Sequence, residues 1–141
     1  MTEIMLDTHR ESEPIVMLRP TLLGAIYQDP IPGYVDSALS VVGSLFLYTG
    51  LGIVKFFPGN PDLIVDIIPC DYAVNIMFTT IAQMGSDSGK IVDSDEIPII
   101  HAASSSHNPL KWGYAADTMA RYWQKSPAKK SISPPSVYMI R

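Results

Sequence analysis

Three histidines, one cysteine, a run of three serines and an acidic loop are the groups in this 141-residue chain that could do nucleophilic, acid–base or metal chemistry. None is spaced for it. His9 falls in a helical stretch, His101 inside an apolar strand and His107 beside a helix start, so they lack the spacing and companion ligands of a metal site. Ser104, Ser105 and Ser106 have no Gly-x-Ser-x-Gly elbow around them, which argues against a hydrolase triad. Cys70 stands alone; it excludes an internal disulfide framework and a cysteine-rich zinc site, fits a reducing compartment, and reads as a small buried hydrophobe. The stretch 85–96 is polar and acidic without the spacing of a calcium loop, and is expected to be a solvated surface loop. Asp71 reads as a helix N-cap and Asn75 as a side chain hydrogen-bonded to a neighbouring loop. There is also no Gly-x-x-Gly-x-x-Gly-type turn to cradle a dinucleotide and no Tyr-x-x-x-Lys pair. No catalytic residue and no metal ligand is expected on these residues.

The elements that carry those groups alternate between helix and strand. Residues 2–11 read as the end of a helix, and Pro14 closes the loop before a continuous apolar run, Ile15–Leu18, of the kind a doubly covered strand shows. A buried helix is expected from about Ala38 to Leu47, then a Gly-rich turn and a strand at Ile53–Phe57. Ile64–Ile68 is a second short apolar run. After Asp71, the spacing of Val74, Met77, Phe78 and Ile81 marks one face of a helix that Gly85 stops. Ile97–Ala103 reads as a strand with Pro98 at its first turn or edge. Asn108 and Pro109 read as N-cap and first residue of a last helix, whose apolar face is Trp112, Ala115, Ala116, Met119, Tyr122 and Trp123. Residues 126–135 form a linker before a short apolar segment at Val137–Ile140. Such alternation makes the class α/β.

At 47% hydrophobic and 17% charged, the chain is expected to fold as one compact unit with a core of ordinary size. Its charge is divided: residues 1–106 carry 4 basic and 13 acidic side chains, and residues 107–141 carry 6 basic and 1 acidic. The basic arm could approach anionic lipid or a CoA phosphate, although a solvated helix face and tail is the simpler reading. A net charge of -4 with no basic stripe excludes a nucleic-acid footprint. The 18 uncharged residues Ser37–Val54 are too short and too rich in Ser, Thr and Gly for a membrane span. The first residues lack the basic flank and long apolar run of a secretory signal.

Five short motifs then fall in one order: Arg19-Pro20-Thr21; Asp29-Pro30-Ile31-Pro32-Gly33-Tyr34; Asp66-Ile67-Ile68-Pro69-Cys70-Asp71 with Asn75; Ser104; and Asn108-Pro109-Leu110-Lys111-Trp112-Gly113. Together they resemble the run that follows the last active-site helix in the alcohol-forming fatty acyl-CoA reductases, which are NADPH-dependent extended short-chain dehydrogenases. Tyr34 stands where that family usually has Trp.

The resemblance implies an incomplete, C-terminal part of a Rossmann-like extended short-chain dehydrogenase domain over residues 1–106, with a helix and linker into a truncated region over 107–141. It implies that the catalytic Tyr and Lys precede residue 1 and that the phosphate loop lies further upstream. By the same resemblance, Pro20, Thr21 and Leu22 lie against the nicotinamide of NADPH, and the segment Gly24–Tyr34 lines an acyl channel with Tyr27 and Tyr34 as walls. The implied reaction passes two hydrides from NADPH through an aldehyde, turning long-chain acyl-CoA into a primary alcohol, with the chain inactive by itself. A peroxisomal or endoplasmic-reticulum setting, membrane-surface association of the whole enzyme and self-association of the chain are further expectations. Two other readings stand beside it. One is a non-catalytic fragment that pairs with an intact reductase through an unfinished sheet edge. The other is a different extended short-chain dehydrogenase acting on sugars or steroids, which the Asp-Pro-x-Pro-Gly turn and the Asn-Pro-x-x-Trp-Gly motif disfavour.

Overall fold

In the computed structural model, which describes residues 2–10, 13–36, 40–86 and 97–140, helices and strands alternate as the α/β class requires. Helix α1 (Thr2–His9) leads into β1 (Met17–Pro20) and β2 (Leu22–Gly24). After α2 (Val41–Gly50) come β3 (Phe56–Pro58), β4 (Ile64–Val65) and β5 (Ile67–Pro69), then α3 (Cys70–Met84). The chain continues through β6 (Ile99–Ala102), β7 (Leu110–Lys111), α4 (Trp112–Lys125) and β8 (Tyr138–Ile140).

The strands do not form one layer. Three pairs are parallel, β1 with β6, β2 with β5 and β3 with β8, and β4 pairs antiparallel with β7. Short parallel pairs joined through intervening helices are those of part of a Rossmann-like domain. The pair β1–β6 is extended at both ends, by Met17 N–H on Pro98 O (2.9 Å) and Thr21 N–H on Ala102 O (3.0 Å).

Several boundaries differ from the sequence expectation, and tertiary pairing is the reason each time. Strand β1 begins two residues after Ile15 because its register is set by Ile99–Ala102. Strand β3 starts at Phe56 because its partner is the Tyr138–Ile140 segment. The apolar run Ile64–Ile68 is two strands that part at Asp66, one turning to β7 and the other to β2. The last helix begins at Trp112, with Lys111 as N-cap, because Leu110 and Lys111 are held in β7. Asn108 instead closes a turn, its N–H on Ser104 O at 2.8 Å. Asp71 is not the N-cap of α3; that place falls to Pro69, and Asp71 lies in the first turn. Cys70 is half-buried rather than buried. The expected start of the second helix at Ala38 and the acidic loop beyond Ser86 lie outside the described residues; Ser40 caps α2, its hydroxyl accepting from Gly43 N–H at 2.8 Å.

Helix α4 packs on α2 through the face the spacing indicated. Trp123 donates its indole N–H to Phe46 O (2.8 Å) and its ring lies 5.0 Å from that of Phe46. Gly50 makes this approach possible, since a Cβ there would fall 2.2 Å from Trp123 Cε2. Helix α3 turns differently. Its buried positions are Ala73 and Thr80, with Ile76 packed alongside, whereas Val74, Met77, Phe78 and Ile81 are exposed. The core is correspondingly small, not of ordinary size: Ile68, Ala73 and Ala102 with Leu18 and Ile76 around them, and Phe57, Ile97, Ala116 and Ala120 elsewhere. Four separate strand pairs present less shared apolar face than one sheet would, so the apolar residues meet fewer partners. No helix among the described residues is long and apolar enough to cross a membrane.

Candidate functional site

The residues between β4 and β5, and those after β6, meet on one carboxylate. Asp66 Oδ1 accepts from Thr21 Oγ1 (3.2 Å), Ser104 N–H (3.0 Å) and Ser104 Oγ (3.2 Å), while the Ser104 hydroxyl also reaches Ile67 O at 3.0 Å. The Ser105 hydroxyl, followed by the Ser104 N–H, holds the Asp66 carboxyl below the usual carboxylate value. This hub ties the carboxyl ends of β1 and β6 to the start of β5. In open α/β sheets that end is where ligands bind.

A second carboxylate holds the adjoining turn. From the first turn of α3, Asp71 accepts from Tyr27 N–H through Oδ1 and from Gln28 N–H through Oδ2, both at 2.9 Å. The Tyr27 N–H is the leading cause of a lowered Asp71 pKa. The Asp-Pro-x-Pro-Gly segment that follows closes on itself, Ile26 N–H on Tyr34 O (2.9 Å) and Gly33 N–H on Ile26 O (2.8 Å). Tyr27 then packs edge-on against Tyr72, ring centres 5.6 Å apart.

Two cavities open around these groups. The larger, 920 Å³, lies at the carboxyl ends of β5 and β6 and is lined by Tyr27, Tyr72, Ser104, His107, Lys111 and Tyr114 among others. His107 Nδ1 meets the Ser106 hydroxyl at 2.8 Å, and Lys111 pairs with Asp62 at 2.9 Å. The smaller, 320 Å³, lies between β2, α2 and α4, and its walls are almost wholly apolar, including Leu22, Phe46, Trp112 and Met119. Ile67 borders both. Gly24 leaves room for it, because a Cβ on residue 24 would stand 2.7 Å from Ile67 Cγ2.

The six residues singled out from the sequence are therefore divided. Pro20 ends β1, exposed, and Thr21 turns its hydroxyl toward Asp66 Oδ1 (3.2 Å) and Ala102 O (3.4 Å). Leu22 faces the apolar cavity, Gly24 sets the wall between the two, and Tyr27 lines the larger cleft. Tyr34 is 56% exposed and borders neither. The residues that sequence reasoning passed over are Asp66 as a hub, Asp71 as the anchor of the turn, and Tyr72 and Ile67 as walls. A signal was there: two aspartates five residues apart flank the apolar Ile67-Ile68, and carboxylates so placed need several donors each.

For a nicotinamide cofactor, the groups present fit one end only. Pro20 and Leu22 are exposed apolar residues on either side of a fixed Thr21, of the type that can lie against a ring. No glycine-rich turn is present to take a diphosphate. The histidines stay apart: among the described residues, no three His, Cys, Asp or Glu side chains gather as a metal site would need.

Comparison with known proteins adds the following. A model of the NAD-binding family described as male sterility protein matches residues 1–77. The chain is 36% identical over 127 residues to "Putative fatty acyl-CoA reductase 7" of Arabidopsis thaliana, covering 90% of this chain and 29% of that protein. It is 32% identical over 127 residues to "Fatty acyl-CoA reductase 1" of the same plant, covering 90% and 24%. With "Alcohol-forming fatty acyl-CoA reductase" of Simmondsia chinensis the identity is 28% over 126 residues, covering 89% and 24%. The chain spans about a quarter of the length of these curated relatives.

Proposed function

The chain belongs to the NAD-binding male sterility protein family, and from that premise we propose that it supplies the nicotinamide-side strand ends and the acyl-side cavities of a fatty acyl-CoA reductase. The substrate is a long-chain acyl-CoA, the reductant NADPH and the product a primary alcohol. What supports this most directly is the large cleft at the carboxyl ends of β5 and β6, beside the Asp66 hub that ties in the end of β1.

When bound, the nicotinamide supplies hydride. The residues of this chain position the reactants. Pro20 and Leu22 form the flank behind the ring, and Thr21 gives shape rather than a donated hydrogen bond, since its hydroxyl is turned toward Asp66 Oδ1 and Ala102 O. Asp66 keeps β1, β5 and β6 in register so that this flank does not spread. Asp71 fixes the turn that carries Tyr27, which walls the cleft on the substrate side. The Tyr-x-x-x-Lys pair for proton donation to the carbonyl oxygen and the glycine-rich loop for the hold on diphosphate are not among these 141 residues.

The test is a fusion in which the part of a relative bearing the glycine-rich loop and Tyr-x-x-x-Lys precedes residues 1–141. Acyl-CoA-dependent NADPH oxidation is expected, with the alcohol recovered as product. Thr21→Trp should abolish hydride transfer, and Tyr27→Ala should weaken transition-state binding of acyl-CoA by about 1–3 kcal/mol. Residues 1–141 alone should bind NADPH far more weakly than the fusion. Micromolar binding by the isolated chain, or two variants that only lower the melting temperature, would overturn the assignment of these positions.

A further inference from the structure

The 320 Å³ cavity between α2, α4 and β2 has almost wholly apolar walls, and of its lining residues only Leu22 enters the positioning just described. Folded interiors rarely leave a void larger than a water molecule. This one equals about ten water-sized volumes, and an apolar space of that kind accepts apolar ligands. It reaches the surface at Val41, which is 65% exposed, and it adjoins the large cleft across the single side chain of Ile67.

Resting on the reading of the chain as part of an acyl-CoA-using enzyme, we propose that this cavity receives the distal end of the acyl chain, and that Val42, Ala115 and Met119 gauge its length. The cleft, with Ser104, His107, Asn108 and Lys111 on its walls, suits the polar part of the same molecule; the cavity suits only hydrocarbon. The tail passes between them beside Ile67. At about 30 Å³ per methylene-sized group, the cavity holds on the order of ten methylenes. Each one buried tightens binding about fourfold until the space is full. Ala115 is the small residue facing Val42 and Leu45 from the opposite helix, so side-chain volume there subtracts directly from the room left for the tail.

Trp112 lines the cavity and gives a readout independent of turnover. Residues 1–141 are titrated, below the critical micelle concentration, with saturated acyl-CoAs of increasing length and with chains carrying a nitroxide quencher near either end. The same titrations are run on Trp123→Phe, which leaves Trp112 as the only indole. A distal nitroxide should quench Trp112 more than a proximal one, and affinity should climb with length and then level off. Ala115→Leu should move that plateau to chains about three carbons shorter, and Met119→Ala to longer ones, with circular dichroism confirming that each variant is folded. Equal quenching by both labels, or an unmoved plateau in both folded variants, overturns the proposal. If simple alcohols show the length profile but no acyl-CoA binds, the cavity assignment stands and the acyl-CoA reading falls; if neither binds, both fall. If Trp112 emission shifts with protein concentration and that shift blocks acyl-CoA binding, a second copy of the chain fills the cavity, which also overturns the proposal.

Discussion

Asp66 and Asp71 each use one carboxylate to hold groups that are far apart in sequence, and each holds them most strongly when ionised. Both carboxyls lie below the ordinary value of 3.8, Asp66 through the Ser105 hydroxyl and Ser104 N–H and Asp71 through the Tyr27 and Gln28 N–H groups. A carboxyl whose folded pKa is depressed contributes stability that is fully present above the unfolded value and is lost as pH falls through the folded one. Asp66→Asn should therefore cost on the order of 1 kcal/mol near neutral pH, read from urea midpoints, because donors that faced a charge then face a neutral amide. The gap between wild type and variant should close as pH drops below 3.8. If the gap is constant with pH, the hub is not acting through its charge. Asp71→Ala has a more local signature. Hydrogen exchange at the Tyr27 and Gln28 amides should accelerate while exchange within α4 stays unchanged, since those two N–H groups lose their acceptor and α4 is held by its own packing on α2.

Among the elements, the α2–α4 seam is a close aromatic contact with no room for added volume at Gly50. Phe46, Tyr122 and Trp123 stack within about one ring diameter of one another over Gly50. Gly50→Ala places a methyl inside the Trp123 ring and should destabilise by about 1–3 kcal/mol, the usual cost of overpacking, despite the better helix propensity of Ala. Thermal melts of Gly50→Ala beside Gly85→Ala provide the comparison. A Cβ at residue 85 meets nothing closer than 3.7 Å, so that variant should be nearly neutral. A Gly50→Ala variant no less stable than Gly85→Ala would mean that helix propensity, not the seam, governs. Helix α3 has the opposite character, with Phe78 67% and Ile81 61% exposed on the very stripe its periodicity marks. Its contacts with β5 and β2 come through the smaller Ala73 and Thr80 side.

The whole molecule exposes 10148 Å² of surface, against about 7200 Å² for a typical folded monomer of this mass. Large apolar residues on α1 and α3 and on the strand pairs account for part of the excess: Ile4, Met5, Met77, Phe78, Ile64 and Phe56 are all exposed. Exposed apolar faces and unpaired strand edges associate. We expect the isolated chain to self-associate or to be poorly soluble, and size-exclusion chromatography with light scattering decides it. A monodisperse monomer with a sharp cooperative melt would contradict the expectation.

Short-range physics was legible in the sequence by itself. The α/β alternation, the amphipathic face of α4, the stop at Gly85 and the ordered set of motifs from Arg19 to Gly113 depend on periodicity, capping and turn chemistry, which act within a few residues. Tertiary structure alone decided whatever needed a distant partner. Ile64–Ile68 divides because β7 claims one half and β2 the other. Asp71 leaves the cap for the Tyr27 turn because two free N–H groups 44 and 43 residues earlier offer more than its own helix does. The apolar stripe of α3 stays in water because helical spacing says only that a face exists, and burial requires a surface to set it against.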